Sequence, residues 1–279
     1  MTFLSSVILG LIQGITEFLP ISSSGHLAIA EHLLGMGGSV EIPGFFDVLL
    51  HLGTLLAVFV AYWSDIREMI LEFFRGISDL AHHTTPNPPP AARRLILLII
   101  VGTLPLFAVL PIKDLVEGLA DNMYFVALAL LVTGVLLFAS DRVRKGHKTE
   151  RSATMKDILI IGIGQAIATC PGISRSGTTI TAGCLVGLDR RFAVRYSFLM
   201  SIPAILGANI LSIVDVVKDG GVIVSEIPVY LVGVAVAAVS GYFCIRLLKM
   251  IAEKGKFGFF AYYCWAVGAL TLILQIVSG

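Results

Sequence analysis

The sequence predicts an all-α polytopic membrane protein with six full spans and two re-entrant helical hairpins, arranged as an inverted-topology repeat. Three observations predict it. Only 14% of the 279 residues are charged and 56% are hydrophobic, with a mean hydropathy of +0.90, whereas a soluble domain carries about 25% charged residues. Several apolar stretches reach the roughly 20 residues that a bilayer crossing requires. Two further apolar regions are broken in the middle by Pro, Gly and Ser clusters, and these two resemble each other.

The first broken region is 1–44, interrupted at Pro20-Ile21-Ser22-Ser23-Ser24-Gly25. Irregular backbone at membrane depth is tolerated only where protein or a wet cavity covers it, so the region reads as a hairpin that dips in and returns. A span follows at 45–63. The stretch 64–92 holds Asp65, Arg67, Glu68, Glu72 and Arg75, then His82, His83 and a proline-rich run at 86–90. It reads as an amphipathic interfacial helix entering a polar loop. Spans are expected at 93–113 and 122–140. The second broken region, 155–190, is interrupted at Pro171-Gly172-Ile173-Ser174-Arg175-Ser176-Gly177, and spans at 192–217, 228–248 and 257–277 complete the chain.

Basic residues orient these elements. Arg142, Arg144, Lys145, Lys148, Arg151 and Lys156 crowd one loop, Lys249, Lys254 and Lys256 another, and Arg67, Arg75, Arg93 and Arg94 a third. By the positive-inside rule these loops are cytoplasmic, and the connections near 114–121 and 218–227 are outside. The first hairpin, with no Lys or Arg before Arg67, starts outside. Gln13 and Glu17 interrupt the first apolar run, which also lacks a basic leader, so no cleaved signal peptide is expected. A net charge of +1 gives no reason to expect nucleic acid as a partner. Cys170, Cys184, Cys244 and Cys264 lie singly in apolar segments and read as small core residues.

The two broken regions match at a constant offset of 152 positions: Gln13 with Gln165, Ile21 with Ile173, Ser22 with Ser174, Ser24 with Ser176, Gly25 with Gly177. Each is followed by three spans, an odd number, so the second copy is inverted relative to the first. One membrane domain, 1–279, thus divides into repeats 1–140 and 155–279. Inverted repeats bring their discontinuous elements together near the midplane, so the two tips should converge. At matched positions the copies differ where chemistry is possible: Ser23 against Arg175, and Glu17 against Thr169.

Glu17 and Gln13, four apart, share a helix face. A carboxylate at membrane depth signals a functional site, and this pair offers oxygen ligands of the kind Mg²⁺ or Ca²⁺ prefers. A structural Glu17–Arg175 ion pair is the competing reading. Arg175, within small residues just before a helical stretch, suits phosphate oxygens, with Ser174, Ser176, Thr178 and Thr179 as further hydroxyl donors. Ser22, Ser23, Ser24 and His26 supply a candidate nucleophile and a proton-transfer group. Asp47 and His51 share a face of the first span and are equally well read as inward-facing structural polar residues.

The run from Gln13 through Glu17 to Ser22-Ser23-Ser24-Gly25-His26 resembles the first signature of the bacitracin-resistance type of undecaprenyl-diphosphate phosphatase. The run Pro171-Gly-Ile-Ser-Arg-Ser-Gly-Thr-Thr179 is similar to its second. Length and span pattern agree over essentially the whole chain. The resemblance implies hydrolysis of undecaprenyl diphosphate to the monophosphate, a divalent cation, and a site opening to the extracytoplasmic side of the inner (cytoplasmic) membrane. It assigns Glu17 with Gln13 to the metal and acid role, Ser23 and His26 to the reactive hydroxyl and proton transfer, and Ser174, Arg175, Ser176 and Thr179 to phosphate, joined by Ser22 and Ser24 from the first turn. Gln13 stands where many members have Glu; it keeps an oxygen ligand but loses a charge. The expected partners are the bilayer, the polyprenyl diphosphate lipid and a second copy of the chain in a homodimer. A secondary transporter or lipid scramblase for an anionic substrate is the alternative, because inverted repeats with broken helices also build carriers.

Overall fold

The computed structural model describes residues 1–35, 44–84, 86–218, 224–254 and 256–278. The end of the first predicted hairpin and half of the 218–227 connection lie outside them. The described residues are helical, with a single isolated β-bridge, Lys148 to Leu188. Six segments are long and apolar enough to cross a membrane: Gly44–Ala61, Ala91–Asp121, Met123–Arg142, Arg190–Val214, Ile227–Lys254 and Gly258–Val277. They coincide with the six expected spans, and the chain is a multi-pass membrane protein.

The elements are α1 (Phe3–Phe18), α2 (Ser23–Gly35), α3 (Gly44–Ala61), α4 (Trp63–Ala81), α5 (Ala91–Thr103), α6 (Lys113–Glu117) and α7 (Met123–Arg142), followed by α8 (Met155–Ile167), α9 (Arg175–Leu185), α10 (Arg190–Lys218), α11 (Ile227–Lys254) and α12 (Gly258–Ser278). The second span departs from a plain helix. It stops being α-helical at Thr103 and continues as 3₁₀ turns over Leu104–Ala108 and Leu110–Ile112. Pro105 and Pro111 supply no N–H and crowd the preceding turn, and the Leu104 N–H closes a tight bond to the Val101 carbonyl instead.

Small residues set the helix contacts, as expected where lipid offers no hydrophobic drive between helices. α1 lies on α11 so closely that a Cβ at Gly10 would meet the Gly233 carbonyl at 2.5 Å, and one at Gly14 the Ala237 carbonyl at 2.5 Å. α8 approaches α5 in the same way, a Cβ at Gly162 running into the Gly102 carbonyl. The first helix of each broken region thus packs against a span from the other half of the chain.

The basic loops are tied together at one end of the bundle. Arg195 pairs with Asp65 at 2.5 Å and with Glu150 at 3.7 Å. Arg94 donates to the Glu150 and Ala153 carbonyls, and Lys249 to that of Ala61. Thr154 caps α8 in a capping box with Asp157, whose carboxylate also takes Lys148 at 2.8 Å. Burial pushes the Asp157 carboxyl up, but the Lys148 ammonium and Thr154 together hold it below its ordinary value. His82 and His83 are exposed beyond α4, as a polar loop predicts. Cys184, Cys244 and Cys264 are buried and Cys170 half-buried, all as free thiols.

Candidate functional site

Two short turns build the site, and they share one design. α1 ends before Pro20, Ser22 takes a left-handed φ of 73°, and α2 begins at Ser23. The Ser22 hydroxyl accepts the Gly25 N–H at 3.3 Å and lies 3.3 Å from the Ser24 hydroxyl. In the second turn the Ser174 hydroxyl accepts the Gly177 N–H at 3.1 Å and lies 3.3 Å from that of Ser176. Positive φ moves to Gly172, at 87°, where lack of a Cβ makes it inexpensive. Each serine satisfies an otherwise orphaned N–H at a helix start.

The tips touch. The Gly172 N–H donates to the Ser24 hydroxyl at 3.3 Å, and a Cβ at Gly25 would stand 3.1 Å from the Gly172 Cα. On α7, Thr133 donates to the Gly172 carbonyl and accepts the Ser174 N–H, both at 3.1 Å. One hydroxyl therefore fixes both sides of the second turn.

Glu17 closes the contact between the copies. One carboxylate oxygen pairs with the Arg175 guanidinium; the other accepts the Ser23 hydroxyl at 2.6 Å and the Gln13 amide at 3.2 Å. Arg175 also reaches the Ser201 carbonyl at 3.5 Å, in the turn before Pro203 of α10. A guanidinium has five N–H donors, so these two contacts leave donors for a ligand. The ion pair that competed with an anion site in the sequence is thus real, and Arg175 still borders the open space beside it.

That space is a cavity of about 590 Å³. It is lined by Glu17, Ser22, Ser23, Ser24, Ser174 and Arg175 from the two turns, and by apolar side chains such as Leu106, Phe107, Leu110 and Leu211 together with Lys113 and Glu117. Not every expected residue faces it. Gln13 is fully buried behind Glu17, with its Oε1 unpartnered. Ser176 turns to Ser174, and Thr179 donates to the Arg175 carbonyl at 2.8 Å and meets the Ser197 hydroxyl at 2.7 Å. His26 is outside the lining as well. Its Nδ1 donates to the Ser22 carbonyl at 2.7 Å, its Nε2 accepts the Tyr263 hydroxyl at 2.9 Å, and the two rings stack. Here His26 braces the left-handed Ser22.

Polar residues outside the expected set also line the cavity, among them Asp47, His51, Lys113, Glu117, Gln165 and Asn209. The i, i+4 spacing of Asp47 and His51 was visible in the sequence, and so was the match of Gln165 to Gln13. Nothing in the sequence singled out Asn209. Among the described residues no group of three His, Cys, Asp or Glu could hold a metal. The orphaned Gln13 Oε1 beside the Glu17 carboxylate fits a cation shared with a ligand better than an all-protein cage.

The family model described as Bacitracin resistance protein BacA matches residues 6–270. The chain belongs to this family. Curated relatives agree over nearly full length. It is 41% identical to the undecaprenyl-diphosphatase of Methanosphaera stadtmanae (98% of each chain) and 39% identical to that of Methanobrevibacter smithii (99% of each). Against the undecaprenyl-diphosphatase of Syntrophotalea carbinolica the identity is 42%, over 97% of this chain and 98% of the relative. The two runs that carry the resemblance coincide with the two turns that meet at the cavity.

Proposed function

We propose that this protein hydrolyses undecaprenyl diphosphate to the monophosphate and inorganic phosphate, returning the lipid carrier to cell-wall synthesis. The observation that carries the reading is the Glu17–Ser23–Arg175 cluster, set where two helix starts meet at a cavity that also has apolar walls. The head group lies at this cluster and the prenyl chain leaves past Leu106, Phe107 and Leu110 toward lipid. Full-length relatives named undecaprenyl-diphosphatase support the same substrate. The transporter or scramblase alternative is not favoured, because it gives Ser23 and its contact to Glu17 no role.

In this mechanism Ser23 attacks the terminal phosphorus. Its Oγ–P bond forms as the bridging P–O bond breaks, and its proton passes to Glu17, which already accepts that hydrogen bond. The lipid monophosphate leaves; a water oxygen then bonds the phosphorus as the Oγ–P bond breaks, one water proton returns to Ser23 Oγ, phosphate departs, and Glu17 gives its proton to solvent. Arg175 and the N–H groups opening α2 and α9 offset charge on the phosphoryl oxygens. A divalent cation, Mg²⁺ or Ca²⁺, would be held by Glu17 with Gln13 Oε1 behind it and would neutralise diphosphate charge. His26 holds the turn that aims Ser23 rather than moving the proton itself.

In the same proposal the two broken regions are re-entrant hairpins of an inverted repeat, 1–140 and 155–279. α1 and α8, at about 24 and 20 Å long, fall short of a core about 30 Å thick. The paired serine caps and the reciprocal glycine packing support the duplication. The cavity reaches Lys113, Val116 and Glu117 beside the connection read as external, which supports an opening on the extracytoplasmic side of the inner membrane. The test is phosphate release from undecaprenyl diphosphate by purified protein in detergent, with and without chelator. Cation-dependent release that is lost in Arg175→Ala is expected, together with a trapped phosphoserine absent from Ser23→Ala. Full turnover by Ser23→Ala would transfer the attack to water, and no release by folded wild type would remove the enzyme reading.

A further inference from the structure

In the first copy, Gln13 Nε2 donates to the Glu17 carboxylate. At the matched positions of the second copy stand Gln165 and Thr169. The amide is retained and its carboxylate is gone. The Thr169 hydroxyl does not replace it, since it donates to the Ala166 carbonyl at 2.7 Å. Gln165 is 1% exposed, and neither its Oε1 nor its Nε2 has a hydrogen-bond partner among the described residues. An amide buried in that condition carries a desolvation cost with no return from the fold. Gln165 nevertheless lines the cavity, on the wall shared with Thr169 and Arg175. Asn209 of α10, 6% exposed, brings a second unpartnered amide nitrogen to the same space.

We propose that Gln165 is a phosphate-binding residue whose Nε2 donates to a phosphoryl oxygen of the head group, an anionic acceptor in the place the first copy fills with Glu17. This rests on the diphosphate reading of the same cavity. A neutral donor is well suited here, because it recognises phosphate without adding a cation that would compete with Arg175 for Glu17. The phosphoryl group is either the one released or the one that stays esterified to the lipid.

The test compares Gln165→Leu, Gln165→Glu and Gln13→Leu with wild type. Release of phosphate by wild type comes first, and its failure would remove the diphosphate reading rather than this one. Because the Gln165 amide has no partner in the fold, Gln165→Leu should unfold at or above the wild-type temperature, whereas Gln13→Leu should unfold below it. A hydrogen bond to a charged acceptor corresponds to about 10-fold or more in affinity, so KM should rise by that factor in Gln165→Leu and further in Gln165→Glu, where a carboxylate faces the phosphate. Inhibition constants identify the group. A weaker effect of inorganic phosphate assigns Gln165 to the released phosphoryl, and a weaker effect of prenyl monophosphate assigns it to the retained one. If Gln165→Leu keeps KM and both inhibition constants within about two-fold of wild type, Gln165 binds no phosphate and the inference fails.

Discussion

Replacing Arg175 with methionine tests whether the Glu17–Arg175 pair is a buried charge pair in energetic terms. The Glu17 side chain is 6% exposed and that of Arg175 20%. Removing one member of a buried pair strands the other charge, at about 3–5 kcal/mol. Glu17 would keep its bonds from Ser23 and Gln13, which places Arg175→Met near the lower figure, about 3 kcal/mol. For a chain of this size that lowers the unfolding midpoint by about 6–12 °C. Glu17→Gln strands the more exposed partner and should cost less. In the double variant no charge is stranded, so it should recover about 2 kcal/mol relative to Arg175→Met, a coupling of the size expected between touching groups. Thermal unfolding in one detergent measures all four proteins, and phosphate release should be near background in every variant. A double variant no more stable than Arg175→Met would refute the reasoning, since arginine would then not be compensating a buried carboxylate.

Thr133→Val removes the hydroxyl that holds both sides of the second turn and strands the Ser174 N–H; about 1–3 kcal/mol should be lost, with release falling although Thr133 lies outside the cavity lining. Unchanged kinetics in that variant would mean the turn holds its shape without α7. Gly14→Val places side-chain atoms where the Ala237 carbonyl already sits, so α1 and α11 must separate at about 1–3 kcal/mol; a wild-type midpoint would contradict the close packing. Asp157 has a depressed pKa, so its contribution is present above the ordinary carboxylate range and lost as pH falls through its lower folded value. Asp157→Asn should therefore lose stability at neutral pH and show a flatter decline toward about pH 3, and parallel pH profiles would deny Asp157 that role.

How much of this was legible in the sequence depends on the physics behind each residue. The spans were legible because about 20 apolar residues in a row have few other uses, and the turns because Pro, Gly and Ser clusters interrupt two of the apolar regions. The cluster of Glu17, Ser23 and Arg175 followed from where the repeat puts charge. Side-chain direction was less accessible. His26 is one turn beyond Ser22, but Tyr263 of α12 decides which way its ring points. Thr179 shares a face with Arg175 by spacing, yet Ser197 draws its hydroxyl away. Asp47 and His51 were seen as a pair, and only the packing of α3 beside the turns shows that they border the cavity. The break in the second span at Pro105 was also open to reading, because a proline inside an apolar run seldom leaves a helix unaltered.

The Glu17–Arg175 pair joins positions 158 residues apart, and that distance has a meaning in time. During synthesis at about 5–20 residues per second, the arginine emerges on the order of 10–30 s after the glutamate. For that interval the first hairpin holds an acidic group without the arginine that pairs with it. A nascent chain halted before Arg175 should therefore keep Glu17 protonated or near water, and its first hairpin should settle only when the second arrives. The two hairpins can join only once Arg175 has been made, with α10, α11 and α12 still to follow, so the carboxylate that later serves the chemistry must wait for the second half of the fold.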